Sequence, residues 1–388
     1  MSDWTECALS EVADVIPGFA FKGEHFGEHG ATVIKIKDIT PPTIRIVGAQ
    51  KVDLANYSVS KLEKFKLRKG DFVVAMTGAT IGKVGKLLEE TEAYINQRVA
   101  KIEPKNDVDR SFVYFCLLNY DFDDFVQNNI DSHSAQENIS GSSIGRYPIS
   151  RPPFPEQKAI AGVLGSLDKK IDLLHRQNKT LEAMAETLFR QWFMEEAEVG
   201  WEEKPLSGIA SFLNGLACQK YPPENDLERL PVLKIRELSG GISEASEWAT
   251  SKVKPEYIVN AGDVIFSWSA SLMVKVWDGE PCVLNQHLFK VTSDKFPKWF
   301  YLMWCKHHLA EFISISSSHA TTMGHIKRGD LDAAMVSVPS PKEIEAMSAH
   351  MAPLLDKQIS IAKQRRTLEK LRDSLLPKLM SGEVRVAA

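Results

Sequence analysis

Two long segments of the chain carry apolar residues at spacings that alternate between four and three. The first follows Pro155, which suits the first turn of a helix, and its apolar positions run from Ile160 to Trp192. This alternation is the a/d pattern of a coiled coil, and Asn178 occupies a seam position where a buried amide can fix the register. The pattern predicts a helix over residues 156–193, with a seam that includes Leu164, Leu167, Ile171, Leu174, Asn178, Leu181 and Leu188.

A second segment, near the C-terminus, repeats this pattern less regularly from Ile344 onward. Arg365 stands where the first segment has its seam asparagine, and Pro353 predicts a kink because proline lacks the amide hydrogen that a helix needs. We interpret the two segments as long antiparallel helices that pair with each other. Two separate amphipathic helices, each facing its own core, are the alternative. The predicted seam of the second helix includes Leu355, Ile359, Leu368 and Leu375.

The stretches before the two helices are different in character. They carry short β-branched runs broken by Gly, Pro, Asn and Asp, which is typical of strands and turns. In each stretch one region dense in aromatic and aliphatic residues predicts a single helix, at 110–129 and at 297–314. The combination predicts an α+β fold. The predicted strands are 32–36, 43–47 and 72–74 in the first stretch, and 264–266 and 283–284 in the second.

A tandem repeat relates the two halves of the chain. Any single match is weak, but many matches in the same order indicate an internal duplication. The sequence therefore predicts two homologous domains, at 1–155 and 199–341, each followed by a helical segment, at 156–198 and 342–388. The matched pairs include Trp4 with Trp201, Gly18 with Gly215, Asn96 with Asn285, and Glu156 with Glu343.

Composition narrows the class of protein further. A chain of 388 residues is too long for one ordinary domain, and 44% hydrophobic with 25% charged residues is typical of globular protein. The first residues are acidic where a signal peptide needs bases, and no run reaches the roughly 18 apolar residues of a membrane span. We therefore expect a cytoplasmic protein without a membrane partner. The net charge of −4 argues against a protein that wraps nucleic acid unaided.

Motifs for catalysis and for metal binding are not found in the sequence. The five cysteines are scattered and never form a Cys-x-x-Cys pair, which favours buried, reduced thiols over metal ligands. Residues 78–84 resemble a phosphate-binding loop but lack its spacing and its Ser or Thr. Arg151 stands where an amino-methyltransferase motif needs a hydrogen-bond acceptor. We expect no catalytic residue, no metal and no cofactor in this chain.

Several segments resemble the specificity (S) subunits of Type I restriction-modification enzymes. Residues 151–172, with Pro-Glu-Gln at 155–157, resemble that family's central region, 375–384 resemble its closing segment, and 78–85 resemble a loop of its first recognition domain. The second half departs from the family pattern at 268–275 and at 342–344. The resemblance implies two target-recognition domains that read an asymmetric, interrupted target in double-stranded DNA. The paired helices would hold these domains apart in a pseudo-two-fold arrangement.

The resemblance also implies partners. By this resemblance, the chain would be a non-catalytic subunit. It would act as a scaffold for two methylation (modification) subunits and, later, for restriction/translocase subunits. S-adenosylmethionine and ATP with Mg²⁺ would then bind to those partners. Two other interpretations stay open at this point: a coiled-coil interaction scaffold without DNA specificity, and a diverged fragment of a DNA methyltransferase.

Candidate DNA-binding residues fall into two groups. Residues 61–69 carry five bases and one acid, so Lys64, Lys66 and Arg68 suit phosphate contacts, although a solvated surface explains them equally well. Polar loop residues suit base reading, because Gln and Asn pair with adenine and Arg pairs with guanine, but ordinary turn roles are as probable for them. In the first domain these are Thr77, Thr80, Lys83, Gln97, Arg98, Ser134, Gln136 and Asn138, and in the second Ser269, Ser271, Lys275, Gln286, His287, His319, Thr322 and His325.

Overall fold

The computed structural model describes residues 4–130, 137–197, 200–318 and 324–386. Two compact units divide the chain: Met1–Lys169 with Lys370–Ala388 form unit 1, and Lys170–Glu369 form unit 2. Each unit combines small β-sheets with helices, which confirms the α+β prediction. The boundaries predicted for the four segments of the chain stay a prediction.

The described residues of unit 1 form three sheets. Two edge segments form an antiparallel pair, Thr5–Ala8 with Pro148–Arg151. The second sheet has the order Ala13–Pro17, Val99–Pro104, Phe72–Ala75, Val84–Lys86, Thr43–Ile44 and Ile39–Thr40. The third has the order Phe26–Gly27, Gln50–Val52, Ala31–Ile34, Ala93–Ile95 and Lys66–Leu67.

Unit 2 repeats this plan with fewer strands. Its two-stranded sheet pairs Glu202–Pro205 with Met335–Val338. A four-stranded sheet has the order Ser211–Asn214, Leu288–Thr292, Val264–Ser267 and Met273–Val276. A second four-stranded sheet has the order Trp248–Thr250, Arg229–Leu233, Cys282–Leu284 and Ile258–Val259.

The strands are shorter than the sequence predicted in two places of unit 1. The predicted strand 32–36 ends at Ile34 and gives way to the 3-10 turn Ile36–Asp38, where the Asp38 carboxylate accepts from the backbone N–H of Lys35 at 2.9 Å. The predicted strand 43–47 is reduced to Thr43–Ile44. A local carboxylate bond therefore competes successfully with strand pairing here.

Each single helix predicted inside a domain is in fact a pair of helices. Residues 110–129 form Arg110–Leu118 and Tyr120–Asn128, because Asn119 between them has an extended backbone (φ −71°, ψ 143°). The second region divides into Lys298–His307 and Leu309–Ser318 at His308. The remaining short α-helices are Leu9–Val12, Val59–Leu62, Gly141–Ile144, Leu206–Ile209, Ile235–Gly240 and Arg328–Ala333; short 3-10 turns cover Gly23–His25, Leu54–Asn56, Glu63–Phe65, Gly78–Thr80, Cys218–Lys220 and Pro255–Tyr257.

The central helix (Phe154–Arg190) matches the predicted seam well. It begins two residues earlier than expected and ends in a π-helical turn, Gln191–Glu195. The seam positions are buried or half-buried, and most of their neighbours on the helix are exposed. The seam thus comprises Ile160, Leu164, Leu167, Ile171, Leu174, Asn178, Leu181, Ala185, Leu188 and Trp192.

The C-terminal helix (Pro341–Met380) runs without interruption through the exposed Pro353, the residue that predicted a kink. Its predicted seam positions are buried or half-buried, but two further buried positions, Ile361 and Leu376, were not predicted. Ile361 and Leu376 are buried at 4% and 8% exposure, whereas Ile359, Leu368 and Leu375 are half-buried; Leu355 is buried as expected. The sequence pattern missed Ile361 and Leu376 because two arginines, Arg365 and Arg372, interrupt the apolar run on the same face of the helix.

The two long helices are antiparallel within each unit. In unit 1 Glu156 and Asp168 of the central helix bond to Arg385 and Arg372, so the partner numbers fall as the helix advances. In unit 2 His175 lies 3.5 Å from Arg365, and the Trp192 ring lies 6.4 Å from that of His350. The predicted helix pairing is therefore confirmed, and separate amphipathic helices are not what the structure contains.

Apolar packing surrounds these helices in both units. In unit 1 Ile160 and Leu164 share a core with Leu376 and Leu379, and in unit 2 Phe189 shares a core with Met351 and Leu355. All five cysteines are free, and all except the half-buried Cys7 are buried. Burial raises the pKa of the Cys116 and Cys305 thiols, so these groups pack as small apolar side chains. Among the described helices, none is long and apolar enough to cross a bilayer.

Candidate nucleic-acid interface

In unit 1, three loops that are distant in sequence meet beyond the end of strand Phe72–Ala75. The backbone N–H of Met76 donates to the backbone carbonyl of Arg98 at 2.9 Å. The Met76 carbonyl accepts from the backbone N–H of Ile139, also at 2.9 Å. The backbone N–H of Gly78 donates to the backbone carbonyl of Glu137 at 3.2 Å. We call residues 76–83, 96–98 and 137–139 the first loop cluster. It brings together six of the eight residues predicted to read bases in the first domain.

The side chains of the first loop cluster differ in exposure. Lys83, Gln97 and Arg98 are exposed and can reach a ligand, whereas Thr80 and Asn138 are half-buried. Thr77 is only 6% exposed and forms an isolated β-bridge with Asn138. Thr77 therefore has a structural position, and the exposed side chains are the stronger candidates for DNA contact.

Unit 2 contains a corresponding group of loops. The N–H of Trp268 donates to the carbonyl of His287 at 3.5 Å, and the Trp268 carbonyl accepts from Ile326 at 3.1 Å. The N–H of Ala270 donates to Gly324 at 2.9 Å. We call residues 268–271, 285–287 and 324–326 the second loop cluster. Every one of these backbone bonds has its counterpart in unit 1, so the two clusters share one backbone design.

The predicted residues of the second loop cluster are also mixed in exposure. His287 and His325 are exposed, as is Ser271, and Gln286 is half-buried. Ser269 is 5% exposed, and its hydroxyl lies 3.3 Å from Nδ1 of His287. Ser269 also forms the bridge with His325 that Thr77 forms with Asn138 in unit 1.

Four predicted residues lie outside the described residues. They are Ser134, Gln136, His319 and Thr322.

Lys275 lies apart from the second loop cluster. It is in strand Met273–Val276, and its ammonium group donates to the Leu238 carbonyl at 3.1 Å. The strand register explains this difference from the expectation: Val274 pairs with Phe266 as Val84 pairs with Val74, so the position that corresponds to Lys83 is Met273.

The basic segment 61–69 is partly neutralised. Arg68 pairs with Glu63 at 3.1 Å, and Lys66 pairs with Glu92 at 3.3 Å. Lys64 is exposed, with its ammonium 4.8 Å from the centre of the Phe65 ring. Of the three predicted phosphate contacts, Lys64 is therefore the strongest candidate, because the other two already pair with acids.

One glycine lies at the edge of each cluster, and the two glycines are equivalent. A Cβ on Gly18 would lie 2.2 Å from the carbonyl oxygen of Asn96, and a Cβ on Gly215 would lie 2.3 Å from that of Asn285. The backbone N–H of the next residue donates to Ile95 in unit 1 and to Leu284 in unit 2. This close approach explains why both copies of the repeat keep glycine here.

A second matched pair joins each domain to a long helix. The Trp4 indole N–H donates to Glu156 at 3.1 Å, and that of Trp201 donates to Glu343 at 3.2 Å. The sequence matched these residues as repeats but gave no sign that they touch.

Sequence reasoning also missed Trp268 as a member of the second cluster. Its ring stacks on Phe289 with centroids 5.7 Å apart and an interplanar angle of 27°. The indole N–H donates to Asn214 at 3.2 Å. The sequence signal was a tryptophan directly after strand Val264–Ser267, and its contacts Phe289 and Asn214 come from strands that are distant in sequence.

Comparisons with known proteins agree with this duplicated architecture. The family model of the Type I restriction modification DNA specificity domain matches residues 1–183 and again residues 198–370. The chain therefore belongs to this family, as the resemblance of its motifs implied. It is a specificity subunit rather than a catalytic one, and the methyltransferase-fragment alternative is not favoured.

Individual relatives support the same family. The MjaIX specificity subunit of Methanocaldococcus jannaschii is 24% identical, covering 86% of this chain and 85% of its own. The HindI specificity subunit of Haemophilus influenzae is 18% identical, covering 83% and 88%. The crystal structure of a Type I S subunit from M. genitalium superposes with a TM-score of 0.60 at 15% identity, covering 97% of this chain and 96% of the other. This last likeness shows that the fold is shared.

Proposed function

We propose that the two loop clusters read the two parts of a split DNA target, one part each, and that the parts differ in sequence. One observation carries this proposal. The clusters have the same backbone hydrogen bonds, but equivalent positions hold different side chains: Arg98 and Asn138 in unit 1 correspond to His287 and His325 in unit 2.

Different side chains on one backbone give different base preferences. An arginine fork matches the two major-groove acceptors of guanine, and an amide matches adenine, whereas imidazole presents one donor and one acceptor when neutral. The same docking of each domain on DNA would then select different bases. An asymmetric target follows from this difference.

The remaining functions belong to partners in this proposal. Specificity subunits of Type I systems work with modification and restriction subunits, and we propose two modification subunits as the first partners. S-adenosylmethionine, and ATP with Mg²⁺, would bind to those proteins. The net charge of −4 supports dependence on partners, because the chain has little excess positive charge of its own to hold phosphates.

The test is to map methylated motifs in a methylation-free host that expresses this chain with its modification subunit. The wild type should methylate a motif with two defined parts and an unread gap. Arg98→Ala should relax a position in one part and His287→Ala a position in the other, each reducing discrimination by roughly 1–3 kcal/mol. Arg45→Ala, which removes an exposed arginine outside the clusters, is the control.

Two results would contradict the proposal. If Arg98→Ala and His287→Ala relaxed the same part of the motif, the assignment of one part to each cluster would be wrong. If co-expression gave no methylation and no sequence-dependent DNA retention, the coiled-coil scaffold without DNA specificity would be the better interpretation.

A further inference from the structure

Trp268 gives the second loop cluster a ring that the first loop cluster lacks. Its position corresponds to Met76 in unit 1, since each residue donates to and accepts from matching backbone groups. Beneath it, Phe289 corresponds to Ala100, because Phe266 pairs with Phe289 as Val74 pairs with Ala100. Two stacked rings in unit 2 thus take the places of a methionine and an alanine in unit 1.

The stacked indole is fixed from two directions. Its face lies on Phe289 at 5.7 Å, and its N–H donates to the Asn214 side chain at 3.2 Å. Asn214 precedes Gly215, so the residue at its place in unit 1 is Pro17, which has no side-chain acceptor. Unit 1 therefore has neither the ring nor the bond that would hold it.

The fixed indole lies against both exposed histidines of the cluster. The ring of His287 is 6.0 Å from the indole and that of His325 is 6.2 Å from it, centroid to centroid. The two rings are tilted by 41° and 80° to the indole plane. One rigid side chain thus limits the positions of two side chains that can meet bases.

Local hydrogen bonds fix His287 further. Its Nδ1 lies 3.3 Å from the Ser269 hydroxyl, and its Nε2 lies 3.4 Å from the Gln286 amide. Both contacts are satisfied together when Nδ1–H donates to Ser269 and Nε2 accepts from Gln286. A side chain whose rotamer is fixed by packing keeps the geometry that is needed to contact a base, whereas a mobile side chain does not.

We propose that Trp268 is a positioning residue for sequence reading by unit 2: it holds His287 and His325 at fixed places against the second part of the DNA target. This inference rests on the proposed function. It assigns no base contact to the indole itself. Trp268 acts through the two histidines, so its replacement should alter which bases are accepted rather than whether the unit folds.

The variant that tests this is Trp268→Met, which installs the residue of unit 1. The complex with modification subunits is assayed by fluorescence anisotropy against duplexes that carry one altered base pair in either part of the mapped motif. We expect discrimination in the second part to fall by about tenfold, and discrimination in the first part to stay within about twofold of the wild type. Trp268→Phe keeps a ring on Phe289 and should restore most of the discrimination.

A matched control is Trp248→Met, which removes a 40%-exposed tryptophan of the same unit outside the cluster and should change neither part. Thermal unfolding of each variant separates loss of reading from loss of structure. If Trp268→Met unfolds, Asn214→Ala decides, because it removes the acceptor of the indole N–H and keeps the ring. Reduced discrimination confined to the second part supports the proposal, and unchanged discrimination overturns it.

The remaining outcomes of the binding assay distinguish a failure of this inference from a failure of the proposed function. Equal loss in both parts of the motif, or none in either, overturns the role of Trp268. A wild-type complex that discriminates in neither part overturns the proposed function itself, whereas a discriminating wild type with an unaffected Trp268→Met overturns this inference alone.

Discussion

The two loop clusters have the same backbone but different surfaces. Met76 and Trp268 exchange equivalent backbone hydrogen bonds with their neighbouring loops, and Thr77 and Ser269 form equivalent bridges. Even the left-handed backbone is kept: Gly78 has φ +70°, and Ala270 has φ +56° although a Cβ makes that region unfavourable by roughly 1–2 kcal/mol. A duplicated fold thus retains its framework while the exposed side chains diverge.

Residues that the framework cannot replace are matched in both copies. Gly18 and Gly215 each lie against a carbonyl oxygen, and Trp4 and Trp201 each bond to the first turns of a long helix. Outward-facing residues are free to differ, as Arg98 and His287 do, although Gln97 and Gln286 beside them are the same residue. The comparison therefore separates structural constraint from specificity within one chain.

The largest effect is expected in the shared helix pair, where two adjacent leucines have opposite environments. Leu174 is 2% exposed on the seam and Leu173 is 39% exposed beside it. Leu174→Ala should lower the free energy of unfolding by about 3 kcal/mol, because it leaves a cavity, and Leu173→Ala by less than about 0.5 kcal/mol. Urea unfolding followed by circular dichroism measures both. Equal costs would mean that the seam is not the packed face.

The next effect tests the matched glycines. Gly18→Ala and Gly215→Ala each place a methyl group against a backbone carbonyl and should each cost about 2 kcal/mol. Hydrogen exchange should show faster opening in unit 1 for the first variant and in unit 2 for the second. Gly162→Ala, on an exposed helical position with nothing within 4 Å, should instead stabilise the protein by about 0.5–1 kcal/mol. Unequal losses of stability in Gly18→Ala and Gly215→Ala would show that the two glycine positions are not structurally equivalent.

The smallest effect concerns the basic segment of unit 1, which has no counterpart in the matched pairs. Lys64→Gln should weaken binding to all DNA sequences alike and reduce the salt dependence of binding by about one phosphate contact. The control variant Glu63→Gln removes a negative charge, so it should leave the affinity for DNA the same or raise it. Titrations of the assembled complex at several salt concentrations measure both. No change in slope for Lys64→Gln would assign this segment to the solvated surface.

Much of the fold follows from local pattern. The four-three spacing from Ile160 to Trp192 predicted the seam of the central helix at every position. The C-terminal seam was harder to predict, because Arg365 and Arg372 occupy it and are balanced by Asp278 and Asp168, which lie far away in sequence. A buried or half-buried charge is acceptable only with its partner, and the partner is not visible in a local pattern.

The sequence by itself determined the duplication, the long helices and the family, because these depend on order and spacing along the chain. Only the tertiary structure decided which loop residues lie together, that Thr77 and Ser269 are buried, that Lys275 lies in a strand, and that Trp268 lies against two histidines. The physical reason is that a hydrophobic period records which face of one element is buried, whereas a recognition surface depends on side chains that strand register and packing bring together from distant loops.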